Sequence, residues 1–367
     1  MTMSRLCPLV LAVAAGLSVQ PVSQPILAAR NGPHMQVVNL SPGSFAQEQV
    51  SNPGERPSFA VWLDGVRREA VERGIRPATI ETAFRDLRPV EVAVDRDRTQ
   101  AEFVLPIDVY LKRRVSREIV RTGRRMLGVH RKLLGAVAAR FGVEPQVVVA
   151  MWGLESNFGR FSGVRPTVPM LATLAYDARR PALFRQELLA ALTILDRGDV
   201  ELDQFRGSWA GALGQPQFMP STYLKYAEDF DGDGRRDIWS TTADVLASIA
   251  SYLTQHGWKR GERWGREVVV SKPAAAKVED EVPLRPTGCQ AGRQMRGPLP
   301  LSAWNTLGVR LPGRTPLPAA SMEASLLEAG KQVYLLYRNY DVLLDYNCAH
   351  AYALSVGLLA DRVASEK

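Results

Sequence analysis

Residues Gln146 to Ser156 leave this chain few ways to fold. Nearly every side of the stretch is apolar (Val147, Val148, Val149, Ala150, Met151, Trp152, Leu154), and a helix that is apolar all round belongs inside a core. Gly142-Val143-Glu144-Pro145 supplies a turn and then a proline for the first helical turn. Its one ionisable side chain, Glu155, comes at the end, just before Ser156-Asn157-Phe158-Gly159. An ionised carboxylate is costly in apolar surroundings, so Glu155 is expected either paired or held protonated with a raised pKa. A carboxylic acid kept neutral near pH 7 can give its proton to the leaving oxygen of a glycosidic bond. The plainer alternative is a turn cap, or an ion pair with Arg160 or Arg165.

A helix of this kind needs other helices to cover it, and the sequence offers them. From Phe59 to Leu87, apolar residues recur at helical spacing, with Pro77 near the start of a second helix. Tyr110 to His130 reads as an amphipathic helix with Leu111, Val115, Ile119 and Met126 on its buried side and many arginines on its solvated side. Leu183 to Leu195, Pro220 to Ala227, Ala243 to His256, Met322 to Leu336 and Cys348 to Val363 are also expected to be helical. Glu267 to Ser271, with three consecutive valines, is the convincing strand, and the Pro/Gly-rich stretch 272–318 predicts an irregular region with short strands. The expected class is mainly α (α+β), with a small mixed α/β subdomain over about 258–320.

The N-terminus reads as an export signal over 1–29: Arg5, an apolar run from Leu6 to Val19, and small residues at Leu27-Ala28-Ala29. That run is too short to span a bilayer of roughly 30 Å, and no other stretch is long and apolar enough to cross one. A disordered or membrane-anchoring tail is the alternative. Residues 30–56 lack periodicity and predict a disordered linker. Without Cys7, Cys289 and Cys348 remain, and an exported protein can pair them in a disulfide; two buried free thiols are the alternative. The formal charge of +8 suits an anionic partner. Nucleic acid is not expected, because the basic residues are scattered among acidic ones without interleaved aromatics.

Two motifs carry a resemblance. Gly153-Leu154-Glu155-Ser156-Asn157-Phe158-Gly159 resembles the Glu-Ser-x-x-Gly signature of lysozyme-like lytic transglycosylases, and the run from Gly207 to Ser221 resembles the second motif of the lytic murein transglycosylase B family. The likeness continues through Tyr226 to Gly234, Ser248 to Trp258 and Tyr346-Asn347, covering about 57–365. It implies a lysozyme-like helical catalytic core, about 57–257 plus 345–365, acting in the periplasm. The implied reaction cleaves the β-1,4 bond between N-acetylmuramic acid and N-acetylglucosamine without water, leaving a 1,6-anhydro ring. Ordinary glycosidases need two carboxylates; here the substrate's own 6-hydroxyl attacks, and Glu155 first donates and then retrieves a proton. The resemblance further implies peptidoglycan glycan strands as the partner, cell-wall synthesis proteins as the class of protein partner, and no organic cofactor.

By motif, the resemblance places Ser208, Gln217, Tyr252, Tyr346, Asn347 and Tyr352 in the groove, with Tyr110 a further candidate. Aromatic faces stack on sugars, and Ser, Gln and Asn bond hydroxyl and N-acetyl groups; core packing is the alternative for any one tyrosine. Gln215-Pro216 departs from the Tyr-Gly that some members carry, which puts sugar contacts there in doubt. Asp229-Phe230-Asp231-Gly232-Asp233-Gly234-Arg235-Arg236-Asp237 puts carboxylates at positions 1, 3, 5 and 9 of a loop with glycine at 6, the EF-hand spacing for Ca²⁺. Position 12 is Ser240. The resemblance supplies Asp244 as a supplementary ligand and the Arg235 carbonyl as another, for a structural Ca²⁺; an acidic turn neutralised by Arg235 and Arg236 is the alternative. The rival functions are a hydrolytic muramidase, a non-catalytic peptidoglycan-binding protein and a Ca²⁺-dependent interaction module.

Overall fold

The computed structural model describes residues 57–90, 105–177 and 181–365; the export signal and linker expected over 1–56 lie outside the described residues. Helices α1 (Phe59–Glu72), α2 (Pro77–Phe84), α3 (Ile107–Arg114), α4 (Arg117–Val129) and α5 (Arg131–Phe141) lead to α6 (Pro145–Ser156). Every residue of α6 from Val147 to Ser156 is buried, as its all-round apolar character requires. The helix begins where Pro145 takes its first turn, and it ends where Asn157 turns left-handed at φ 51°, a conformation that asparagine tolerates better than most residues. Glu144, at the N-cap, does not cap the helix with its side chain. Its carboxylate instead accepts from Trp258 Nε1 at 2.8 Å and from Gly261 N–H at 2.6 Å, tying the start of α6 to the chain a hundred residues on.

After a two-residue ladder between β1 (Arg165–Pro166) and β2 (Arg206–Gly207), helices α7 (Thr167–Tyr176), α8 (Pro181–Arg197), α9 (Pro220–Tyr226) and α10 (Thr242–Gln255) complete the larger part of the core. A five-stranded antiparallel sheet follows, in the order β4-β6-β7-β3-β5. Its strands are β3 (Gly265–Val270), β4 (Arg296–Pro300), β5 (Val309–Arg310), β6 (Glu323–Ala329) and β7 (Gln332–Leu336). The sheet and the helices α11 (Lys272–Glu281) and α12 (Leu301–Thr306) enclose a second, smaller core built on Val268, Trp304, Leu326 and Leu335. The chain then returns to the first core with α13 (Arg338–Tyr346) and α14 (His350–Ala364). Helix α14 packs against α6.

Three expectations are corrected. The helix expected over Tyr110 to His130 is two helices, because the Ser116 hydroxyl accepts from Ile119 N–H and starts α4 afresh. Met322 to Leu336 is a β-hairpin, not a helix. Ala329 pairs with Gln332 across Gly330-Lys331, and Gly330 takes φ 64° there, as a two-residue hairpin turn demands. β6 buries Ala324, Ser325, Leu326 and Leu327 in succession, so the in-out alternation that marks a strand is missing from its sequence. The sheet therefore runs on to Leu336, past the expected limit of about 320. Finally, the stretch expected to be irregular holds α11, whose N-cap Ser271 accepts from Ala274 N–H.

Cys289 and Cys348 are joined by a disulfide, with Cα atoms 6.1 Å apart. It fastens the sheet region to the strand-like segment just before α14. Among the described residues no single helix is long and apolar enough to cross a membrane.

Candidate active site

Glu155 lies at the end of α6 with 2% of its surface exposed. The turn that follows is closed by its neighbour: Ser156 Oγ donates to Trp152 O at 3.1 Å and accepts from Gly159 N–H at 3.0 Å. Phe158 is left-handed at φ 58°, and its ring lies so close to Gly153 that a Cβ there would sit 2.6 Å from it. Gly153 and Gly159 of the first motif thus permit a tight fold-back of the chain over its own helix. Arg114 donates to Leu154 O, placing a guanidinium at the C-terminal carbonyls of α6, where a cation is favoured. Replacing Ser156 by alanine is expected to cost about 1–3 kcal/mol, because Gly159 N–H would be left without its partner; chemical denaturation would show it, and an unchanged midpoint would discount the turn.

Of the groove residues expected by motif, the structure gathers three tyrosines into one cluster. Tyr346 is close enough to Glu155 to feel its charge, and burial together with that charge holds the phenol above its usual range. The Tyr346 ring lies edge-on to Tyr252 at 4.7 Å and parallel to Tyr352 at 6.1 Å. Tyr252 donates to Asp345 O at 2.8 Å and stacks on His256 at 3.9 Å. Tyr110, Asn347 and Tyr352 are buried. Ser208 and Gln217 have polar atoms engaged by their own loop: Ser208 Oγ accepts from Ala210 and Ala212 N–H at 3.2 and 3.1 Å, and Gln217 Nε2 donates to Gly214 O at 2.7 Å.

The glycines of that loop answer to backbone crowding. A Cβ at Gly207 would sit 2.5 Å from Ala212 O, and one at Gly214 would sit 2.5 Å from Ile238 O. Sequence reading gave Trp152 only to the apolar core and left sugar contacts at Gln215 in doubt, yet the two side chains bond each other at 2.7 Å. A lone indole N–H in an otherwise apolar helix was the available signal, since such a donor needs a buried acceptor.

Two further buried carboxyls occur among the described residues, Glu187 and Asp244. Glu187 accepts from Ser221 N–H at 2.9 Å and Ser221 Oγ at 2.7 Å, at the start of α9; burial raises its pKa while the Ser221 bonds oppose. Asp244 accepts from Phe230 N–H at 2.8 Å and Asp237 N–H at 2.9 Å, closing the acidic loop. Each is occupied with shaping its own neighbourhood.

Within the acidic loop, carboxylate oxygens of Asp229, Asp231 and Asp244 lie within 4.8 Å of one another. Asp233 and Asp237 stand outside that cluster. Asp233 Oδ1 accepts from Arg235 N–H at 2.8 Å, and Asp237 accepts from Trp239 and Ser240 N–H, both at 2.9 Å. Burial, with the nearby Asp231 charge adding to it, pushes Asp244 up to about 6 against the backbone N–H bonds it accepts. Three carboxylates held this close form an oxygen-only donor set, which suits a hard cation such as Ca²⁺.

A family model described as a transglycosylase SLT domain matches residues 58–361. The chain belongs to this family. Membrane-bound lytic murein transglycosylase B of Escherichia coli (strain K12) is 31% identical over 232 residues, 61% of this chain and 58% of that protein; the chain thus spans less than two thirds of that relative. SltB3 from Pseudomonas aeruginosa, solved in complex with NAG-anhNAM-pentapeptide, is 40% identical with a TM-score of 0.75, covering 83% of this chain and 79% of that one. The Escherichia coli lytic transglycosylase SLT35, solved in complex with calcium, is 26% identical with a TM-score of 0.68, covering 82% and 92%. The helical core with its small antiparallel sheet is the lysozyme-like lytic transglycosylase fold implied by the resemblance.

Proposed function

We propose that this chain is a lytic transglycosylase of peptidoglycan in which Glu155 alone serves as acid and base. The observation that carries the reading is the place of that carboxyl, buried where the core helix ends and beside Tyr346. Glu155 is buried at the end of α6, and the other buried carboxyls among the described residues are engaged elsewhere, Glu187 by Ser221 at the start of α9 and Asp244 by the backbone of the acidic loop. Among the described residues, neither of these two buried carboxyls is placed to act as the second carboxylate of a two-carboxylate glycosidase. In its acid form Glu155 would give its proton to the oxygen leaving the anomeric carbon of N-acetylmuramic acid. As that bond breaks, the 6-hydroxyl oxygen of the same sugar bonds to the anomeric carbon, and the Glu155 carboxylate takes up the hydroxyl proton. The acid is regenerated and no water is consumed. Tyr346, the partly exposed member of the tyrosine cluster, would meet the glycan, with the buried Tyr252 and Tyr352 packed against it. The ligand held by SltB3, a NAG-anhNAM-pentapeptide, supports the same product class.

Mass spectrometry of sacculi digested by the purified chain tests this reading. The expected fragments end in 1,6-anhydro sugars, each lighter by one water than a reducing end; reducing ends alone would make the chain a hydrolytic muramidase. We place the protein in the cell envelope, where a disulfide such as Cys289–Cys348 persists.

We further propose a structural Ca²⁺ held by Asp229, Asp231 and Asp244, as the calcium-bound SLT35 supports. Ca²⁺ at about a hundred times its Kd is expected to stabilise the fold by about 2.7 kcal/mol. Thermal melts with and without chelator measure it, and Asp231→Asn should abolish the difference. An unchanged Tm of the parent in millimolar Ca²⁺ would remove the metal from the account.

A further inference from the structure

We propose that Gln215 is a positioning residue for Glu155, a role that rests on the reading of the site given above. Gln215 is buried at 6% exposure, and both ends of its carboxamide are engaged. Its Oε1 accepts from Trp152 Nε1 at 2.7 Å, and its Nε2 donates to Trp239 O at 2.8 Å. Trp152 lies three residues before Glu155, on the same side of the helix one turn back. On the far side of Glu155, the turn closes over the same carboxamide: a Cβ at Gly159 would sit 2.6 Å from Gln215 Oε1. One side chain therefore meets the catalytic segment both before and after the acid.

The anchor at the other end is firm. Gln215 N–H donates to Ile238 O at 2.8 Å. Trp239 donates its N–H to Asp237 Oδ1 and its Nε1 to Arg206 O, both at 2.9 Å. The next residue completes the clamp, because Tyr346 donates its hydroxyl to Pro216 O at 2.5 Å. Gln215 and Pro216 together hold the helix that carries Glu155 and the ring beside it at a fixed separation. An apolar side chain of the same size would fill the space without fixing a direction. The dipeptide that departs from the Tyr-Gly of some members is, in this chain, the link between acid and groove wall.

The test compares parent, Gln215→Met, Trp152→Phe and the double variant, each melted for Tm and assayed for kcat and KM on peptidoglycan strands. Each single variant is expected to lose about 10- to 100-fold in kcat, with KM within about threefold of the parent, as for a displaced reacting group. The double variant should be no worse than the weaker single one, because both remove the same bond. A folded variant whose kcat stays within about twofold, even with a lowered Tm, or losses that multiply in the double variant, would overturn the role. If Gln215→Met does not fold, Trp152→Phe decides alone. A parent that releases no anhydro product overturns both proposals, whereas an active parent with active variants overturns only the positioning role.

Discussion

Glu155→Gln is expected to slow the release of soluble fragments from sacculi by between about 10² and 10⁴-fold, with glycan binding and Tm close to those of the parent. The size of the loss follows from the double duty assigned to one carboxyl. An amide has no proton to give the leaving oxygen and no basic oxygen to receive the proton of the attacking hydroxyl, so both halves of the reaction suffer. Its shape is that of the acid, so the buried end of α6, at 2% exposure, keeps its packing. Co-sedimentation with sacculi reads binding and calorimetry reads stability. A variant that binds, melts like the parent and still solubilises the wall at the parent's rate would place the chemistry elsewhere. It would also revive the non-catalytic binding protein as the rival reading.

The second large effect concerns the sheet. Trp304 is fully buried at the middle of the smaller core and donates its indole N–H to Ala324 O at 2.9 Å. Trp304→Ala is expected to cost about 3–5 kcal/mol through the cavity it leaves, with the orphaned carbonyl adding to it. For a chain of this size that is a fall in Tm of roughly 10 °C. The larger core does not contain Trp304. A Tm within about 2 °C of the parent would show that the sheet contributes nothing to the cooperative unit that melts.

What the sequence revealed divides along physical lines. The core helix and the burial of the carboxyl at its end were legible because all-round apolarity has one meaning in a chain of this composition. The β6–β7 hairpin was not, since four successive buried residues from Ala324 to Leu327 erase the two-residue alternation that distinguishes strand from helix. The break at Ser116 was hidden because the apolar stripe continues across it. Asp233 and Asp237 illustrate a third limit: loop spacing announces an acidic cluster, but the course of the backbone decides which carboxylates converge, and Asp229, Asp231 and Asp244 do. Gln215 was obscured for a similar reason, because its partners, Trp152 and Trp239, lie 63 and 24 residues away.

Helix α14, the last element described, is an inner partner of α6, and Tyr346, Asn347 and Tyr352 reach the site only from that late part of the chain. A nascent polypeptide halted before residue 346 would already contain the acid but not the wall opposite it. On the function proposed above, the capacity to cut glycan would therefore arise only when nearly the entire described chain has been made and folded, a delay imposed by chain topology.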